Sequence, residues 1–191
     1  MDIEDAIHKR RTIRRYKQDL ISIDILKKLI DFARVAPVSA NIQNIEYIII
    51  IDQKMKDKLF PLLEWAGYLP KNERTPPIGQ RPTAYIIVLV NNKIKKANVD
   101  FNVGAAVENI LLGAMKFKIG SCWLGSIDRK KIKKLFEIPD YYDVKHVISL
   151  GFPNEESVIE RYTGSFKYWK DNSNVMHVPK RELKDVLFKI I

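Results

Sequence analysis

At 191 residues, with 46% hydrophobic and 29% charged side chains, the chain is long enough for one domain with one good core. Its 33 basic and 23 acidic residues give a net charge of +10 and a pI near 9.6. The excess is mostly scattered lysine with no nucleic-acid module beside it, so it speaks to solubility and non-specific attraction, and no nucleic-acid partner is expected. The single cysteine, Cys122, excludes an intrachain disulfide framework, the acidic start Met1-Asp2-Ile3-Glu4-Asp5 is not a signal peptide, and the apolar runs are too short for a bilayer. No membrane association and a cytoplasmic location are therefore expected.

Residues 2–9 carry Ile3, Ala6 and Ile7 at helical spacing. They lead into Arg10-Arg11-Thr12-Ile13-Arg14-Arg15, four guanidinium groups in six residues. Arginine's planar fork matches two oxygens at once and keeps its charge, which suits phosphate; a solvated basic turn is the plain alternative. Ser22 reads as the N-cap of a second helix with Ile25, Leu26, Leu29, Ile30, Phe32 and Ala33 on its apolar face, ended by Pro37. The loop Ala36-Pro37-Val38-Ser39-Ala40-Asn41-Ile42-Gln43 offers small and amide side chains to a ligand, or merely connects.

Residues 46–52 (EYIIIID) lack alternation and predict a strand buried on both faces, followed by a helix over 53–66. The Gly- and Pro-rich stretch 67–82 is a long loop, either a lid or disordered, and 83–91 (TAYIIVLVN) is a second buried strand. Residues 98–117 give the strongest helix signal, apolar around much of their circumference, with small residues suiting a core or interface helix. A short strand, Ser121-Cys122-Trp123-Leu124-Gly125-Ser126, follows; Asp128 caps a helix whose lysines face solvent, and 144–152 is the last clear strand. Residues 153–191 show no strong core signal before a helical stretch at 181–191, and are expected to wrap a partner subunit or fold over the surface. The order ααβαβαβαβ plus a tail is α+β in a single domain, 1–191.

Much chemistry is absent. There is no GxGxxG after a strand and no GxxxxGK[ST], the three histidines are far apart without HExxH or cysteine partners, and Cys122 in an apolar strand reads as inert. No metal is expected, and a bound phosphate would have to be gripped by side-chain cations.

Four stretches together resemble the FMN-dependent nitroreductases. Arg10 to Arg14 resembles the family's R-R-S-x-R, and Ala36 to Gln43 its A-P-S-x-x-N-x-Q loop. Asp100 to Gly125 resembles the central helix and G-x-x-W-[IL]-G turn, and Lys180-Arg181 the terminal basic pair. The resemblance implies a nitroreductase-like α+β fold: a mixed or antiparallel central sheet flanked by helices, with a long central dimer-interface helix.

It further implies a homodimer with FMN at the interface. Arg10, joined by Lys180 or Arg181, would hold the phosphate, with Arg11 and Thr12 against the ribityl and phosphate region. Arg14 would lie at the flavin N1/O2 edge, where a cation favours the reduced anion. Gly125, between Leu124 and Ser126, would give a backbone N–H to N5. Pro37, Val38, Ser39 and Asn41 would reach the partner's cofactor, 65–82 would form the lid, and Arg15 would be solvated. The implied activity is ping-pong transfer of hydride from NADH or NADPH to nitroaromatic, quinone or related acceptors. Alternatives are another flavin reaction on the same fold (dehalogenation, enone reduction, dehydrogenation) or a flavin-free basic protein associated with nucleic acid. Three positions depart from the family pattern: Val38 for Ser, Asn44 for Pro and Lys118 for Gly.

Overall fold

The computed structural model describes residues 2–94 and 99–191. In chain order it contains α1 (Ile3–Lys9), α2 (Ile23–Arg34), β1 (Ile45–Ile50), α3 (Gln53–Leu59), α4 (Lys71–Arg74), β2 (Ala84–Asn91) and α5 (Val99–Lys116). Then come β3 (Gly120–Leu124), α6 (Arg129–Leu135), β4 (Tyr142–Gly151), β5 (Ser157–Arg161), β6 (Trp169–Lys170), β7 (Met176–Lys180) and α7 (Leu183–Val186). The expected start of the central helix at residue 98 lies outside the described residues.

The central sheet has the order β1-β2-β4-β3 and is antiparallel throughout. Strand β2 shows why it stays central: Ala84, Ile86, Val88 and Val90 face one apolar cluster, Tyr85, Ile87 and Leu89 the other. Both faces of the pleat are apolar, so both must be covered. On the first face lie α2 and α5, with Leu26, Leu29, Val103, Val107 and Ile110 fully or almost fully buried. The second face is closed by Leu59, Phe60 and Ile132 from α3, the turn after it, and α6.

Local signals act as expected at the helix starts. Asp2, Ser22, Asp52 and Asp128 each accept a backbone N–H from three residues on, satisfying a donor the first turn leaves free. Small residues in α5 permit close approach to α2: a Cβ on Gly113 would fall 2.4 Å from the Phe32 ring.

Several expectations need correction. Strand β1 is half-buried rather than buried on both faces, because it is the sheet edge; only Ile50 is fully enclosed. The helix expected over 53–66 ends at Leu59, where Pro61 permits only a 3-10 turn at Phe60–Leu62 and Leu63 instead pairs with Ile127. The tail is not core-free: β5, β7 and β6 form a second sheet, parallel between β5 and β7, and Met176 is buried against Ala66 and Leu69. The terminal helix is four residues, not the whole of 181–191.

Candidate active site

The arginine run is placed by two glycines that let it cross the sheet at close range. A Cβ on Gly120 would lie 2.9 Å from the Ile13 side chain, and one on Gly151 would lie 2.7 Å from the Tyr16 ring. Either contact is shorter than real Cβ atoms tolerate, so only glycine accepts the crossing. Thr12 then bridges to Ser121 in parallel, Ile13 N–H donates to the Ser121 carbonyl at 2.9 Å, and Lys17 N–H donates to Phe152 at 2.8 Å. The buried Tyr16 hydroxyl reaches Ser149 Oγ at 2.9 Å and locks the crossing. The run therefore lies alongside β3, only a few residues from the Gly125 turn.

Its four guanidinium groups have separate fates. Arg10, half-buried at the end of α1, faces Glu108 of α5 at 3.5 Å. Arg11 folds back to donate to the Arg10 and His8 carbonyls, capping its own helix. Arg14 lies over the Tyr168 ring, 5.0 Å from its centroid, while its backbone N–H donates to Glu155. Arg15 is not solvated as expected: it donates to Gln80 Oε1 and the Glu73 carbonyl, both at 3.2 Å, and faces Glu155 at 4.0 Å. A planar fork with several donors spans the gap between run and loop, which a lone lysine could not.

The Pro37–Gln43 loop is fixed to α5 instead. Ser39 N–H donates to Asn102 Oδ1 at 2.9 Å, and Asn102 Nδ2 reaches Asn44 Oδ1 at 3.4 Å. Asn44 and Asn102 are both buried, an amide pair that no motif in the sequence marks. Ala40, Asn41 and Gln43 have φ near +50°, left-handed positions that non-glycine residues resist and that tertiary contacts must hold. Pro37 and Asn41 are exposed and Val38 lines a neighbouring groove.

Leu124 ends β3 buried, while Gly125 and Ser126 are exposed. Arg129 donates to the Gly125 carbonyl at 2.9 Å and to the Lys145 carbonyl at 3.0 Å, tying the turn to β4. His146 stands behind the turn, edge-on to Trp123 at 5.2 Å, with Nδ1 buried and unbonded. Burial, aided by the Arg129 charge, lowers its pKa and keeps the ring neutral at pH 7. Arg129 and His146 were both missed in the sequence, since neither belongs to a motif. Cys122 is buried, its thiol pushed up to about 11 by desolvation, which makes it inert.

Lys180 closes β7 and is exposed, as is Arg181, whose guanidinium donates to the Asp185 carbonyl. Within one chain Arg181 is engaged by the tail, and among the described residues neither is joined by hydrogen bonds to the arginine run. Among those residues no group of three or more His, Cys, Asp or Glu could hold a metal, and no helix is long and apolar enough to cross a membrane.

Comparison with known proteins fits this arrangement. The sequence profile of the Nitroreductase family matches residues 7–152. A provisionally named NADH dehydrogenase/NAD(P)H nitroreductase of Archaeoglobus fulgidus is 34% identical over 157 residues, covering 78% of this chain and 84% of that protein. The crystal structure of a nitroreductase family protein from Clostridium novyi NT superposes with a TM-score of 0.69 at 26% identity, over 80% of this chain and 87% of the other. That of a provisionally named nitroreductase from Desulfovibrio desulfuricans, in complex with FMN, gives 0.69 at 22% identity, over 100% and 98%. The chain belongs to the nitroreductase family and is an oxidoreductase enzyme.

Proposed function

We propose that the protein is a homodimeric, FMN-dependent NAD(P)H oxidoreductase that reduces nitroaromatic, quinone or related electron-poor acceptors by a ping-pong route. The observation that carries this reading is the pairing of the arginine run with β3 through Thr12 and Ser121, which lays cations suited to a phosphate monoester along the strand that ends at the exposed Gly125 turn. The donor set fits a flavin mononucleotide: guanidinium groups at Arg10 and Arg14, and a turn at Gly125 held from behind by Arg129. The Desulfovibrio desulfuricans relative, whose structure contains FMN, supports it too.

FMN, when bound, supplies hydride chemistry at N5. The chain's share is to bind and orient. Arg10 grips the phosphate, with Lys180 or Arg181 as the second cation and Arg11 and Thr12 nearby. Arg14 places positive charge at the N1/O2 edge and favours the reduced flavin. Gly125, flanked by Leu124 and Ser126, offers its N–H to N5. Pro37, Val38, Ser39 and Asn41 contact the partner subunit's cofactor, and residues 65–82 form the lid over the acceptor. The implied location is cytoplasmic.

The dimer reading has its own support. Ile3 and Ile7 of α1, Phe101 of α5, and Phe188, Ile190 and Ile191 of the tail are all exposed, apolar side chains that a partner subunit would take out of water. A groove of about 500 Å³ beside the edge strand β1, lined by Ile30, Ala33, Val38, Ile45 and Tyr47 together with Lys27, Arg34 and Glu46, is the surface we assign to the partner's tail.

Purified protein should be yellow and release FMN on denaturation; colourless protein that takes up no added FMN refutes the reading. Arg10→Ala should weaken FMN binding by about 1.5–3 kcal/mol, the worth of a charge-assisted hydrogen bond. Unchanged affinity in a fluorescence titration removes Arg10 from the phosphate site. Sedimentation of holoprotein as a monomer would contradict the shared site.

A further inference from the structure

Arg10, Arg11 and Arg15 engage carboxylates or carbonyls, but among the described residues the Arg14 guanidinium has no carboxylate partner. Its contacts are the thiol of Cys122 on β3 and the ring face of Tyr168, 5.0 Å from the guanidinium carbon, on the tail just before β6. Tyr168 is in turn packed at 59° and 5.0 Å against Tyr68, which stands on the 67–82 loop.

The segment carrying Tyr168 is itself anchored to the arginine run. Lys170 Nζ lies 3.4 Å from Glu155 Oε2, with only 5% and 3% of the two side chains exposed, and Glu155 Oε1 takes the backbone N–H of Arg14 and, at 3.3 Å, of Arg15. One buried carboxylate thus fixes both the main chain under Arg14 and the segment bearing the ring above it. Such a pair is costly to bury and strongly destabilising to break, so the register between run and tail is held firmly.

We propose that Tyr168 is a positioning residue for the reaction: its ring face fixes the Arg14 guanidinium, and Tyr68 braces that ring from the loop over the acceptor. The proposal rests on the FMN reading above. A cation free to change rotamer presents its charge at one place only part of the time; a cation held on an aromatic face is preorganised, and preorganised charge is what stabilises a developing anion. The loop and the tuning cation are thereby coupled, so that displacing the loop loosens the charge.

The test is the two-electron midpoint potential of bound FMN, read by spectroscopic titration alongside FMN affinity. Tyr168→Leu keeps bulk and removes the π face; it should lower the potential by about 30 mV, a tenfold loss in the reduction equilibrium. Tyr168→Phe should restore the wild-type value. Tyr68→Ala, at a position 56% exposed, should shift the potential in the same direction by about 15 mV, roughly threefold. In an Arg14→Met background Tyr168→Leu should add nothing. Wild-type protein that binds FMN but whose potential is unmoved by Tyr168→Leu overturns the positioning role alone. So does a Phe variant that behaves like Leu, or a full Leu effect without Arg14. An unmoved Tyr68→Ala overturns the brace, and wild-type protein that binds no FMN overturns both this proposal and the reading beneath it.

Discussion

The central sheet and the tail sheet are held by different physics. In the centre, β2 and β4 bring Ile86, Ile87, Val88, Val147, Ile148 and Leu150 to zero exposure between two helical layers, and packing alone accounts for the arrangement. In the tail, β5 to β7 enclose one fully buried apolar side chain, Met176, with Val178 and Tyr168 partly buried beside it, and polar pairs supply much of the rest. Glu155 faces Lys170, while His177 sits between Glu160 at 2.7 Å and Asp171 at 3.2 Å, stacked on Trp169. Apolar burial is non-directional and tolerates small shifts, whereas ion pairs and ring contacts fix a register. That suits a segment that must place groups at a site it does not otherwise help to build.

Three substitutions sharpen the contrast. Ile148→Ala, in the fully buried centre, should cost about 4 kcal/mol in urea unfolding, within the range of roughly 2–5 for such cavities, and should destabilise every region together. A loss below about 1 kcal/mol would mean that the sheet is not the common core. Glu155→Gln keeps an acceptor for the Arg14 N–H but leaves the buried Lys170 charge unpaired, and should cost about 3 kcal/mol. Amide exchange should rise first in β5 to β7 and residues 12–17; a uniform rise would place Glu155 with the common core.

The smallest effect concerns pH. Bonding to Glu160 first, and then to Asp171, raises the His177 pKa above its usual 6.5. The folded state therefore binds the proton more tightly than the unfolded chain. The extra stability is complete below about pH 6.5 and is lost as pH rises through the raised folded value. His177→Gln should accordingly lower Tm at pH 6 and converge on the wild type at high pH. A gap that widens with pH would reverse the assignment.

Legibility follows the same division. The two-faced apolar pattern of β2, the caps at Ser22 and Asp128, and the circumference of α5 are local properties, and each fixed an element in advance. Strand β1 looked equally apolar but turned out to be an edge, since neighbours in a sheet are not written in one strand's composition. In the tail, β5 pairs with β7 past an intervening strand, β6 is only two residues long, and the three bury little, so no periodicity announces them. Within the site, the motif residues were visible one by one. Their supports, Asn44 with Asn102, Arg129 with Lys145, His146 and Glu155, were not, because each acts by meeting a residue distant in sequence.

The sequence by itself determined the helix starts, the buried strand β2, the inert burial of Cys122 and the resemblance to the family. All of these depend on the order of residue types over a few turns, or on short motifs in a fixed order. Only the tertiary structure decided that the arginine run crosses Gly120 and Gly151 onto β3, that Arg15 ties that run to the loop, and that Arg14 rests on Tyr168. Those outcomes depend on which surfaces come within a few ångströms after the chain has folded, and a guanidinium in the sequence carries no mark of the partner it will find.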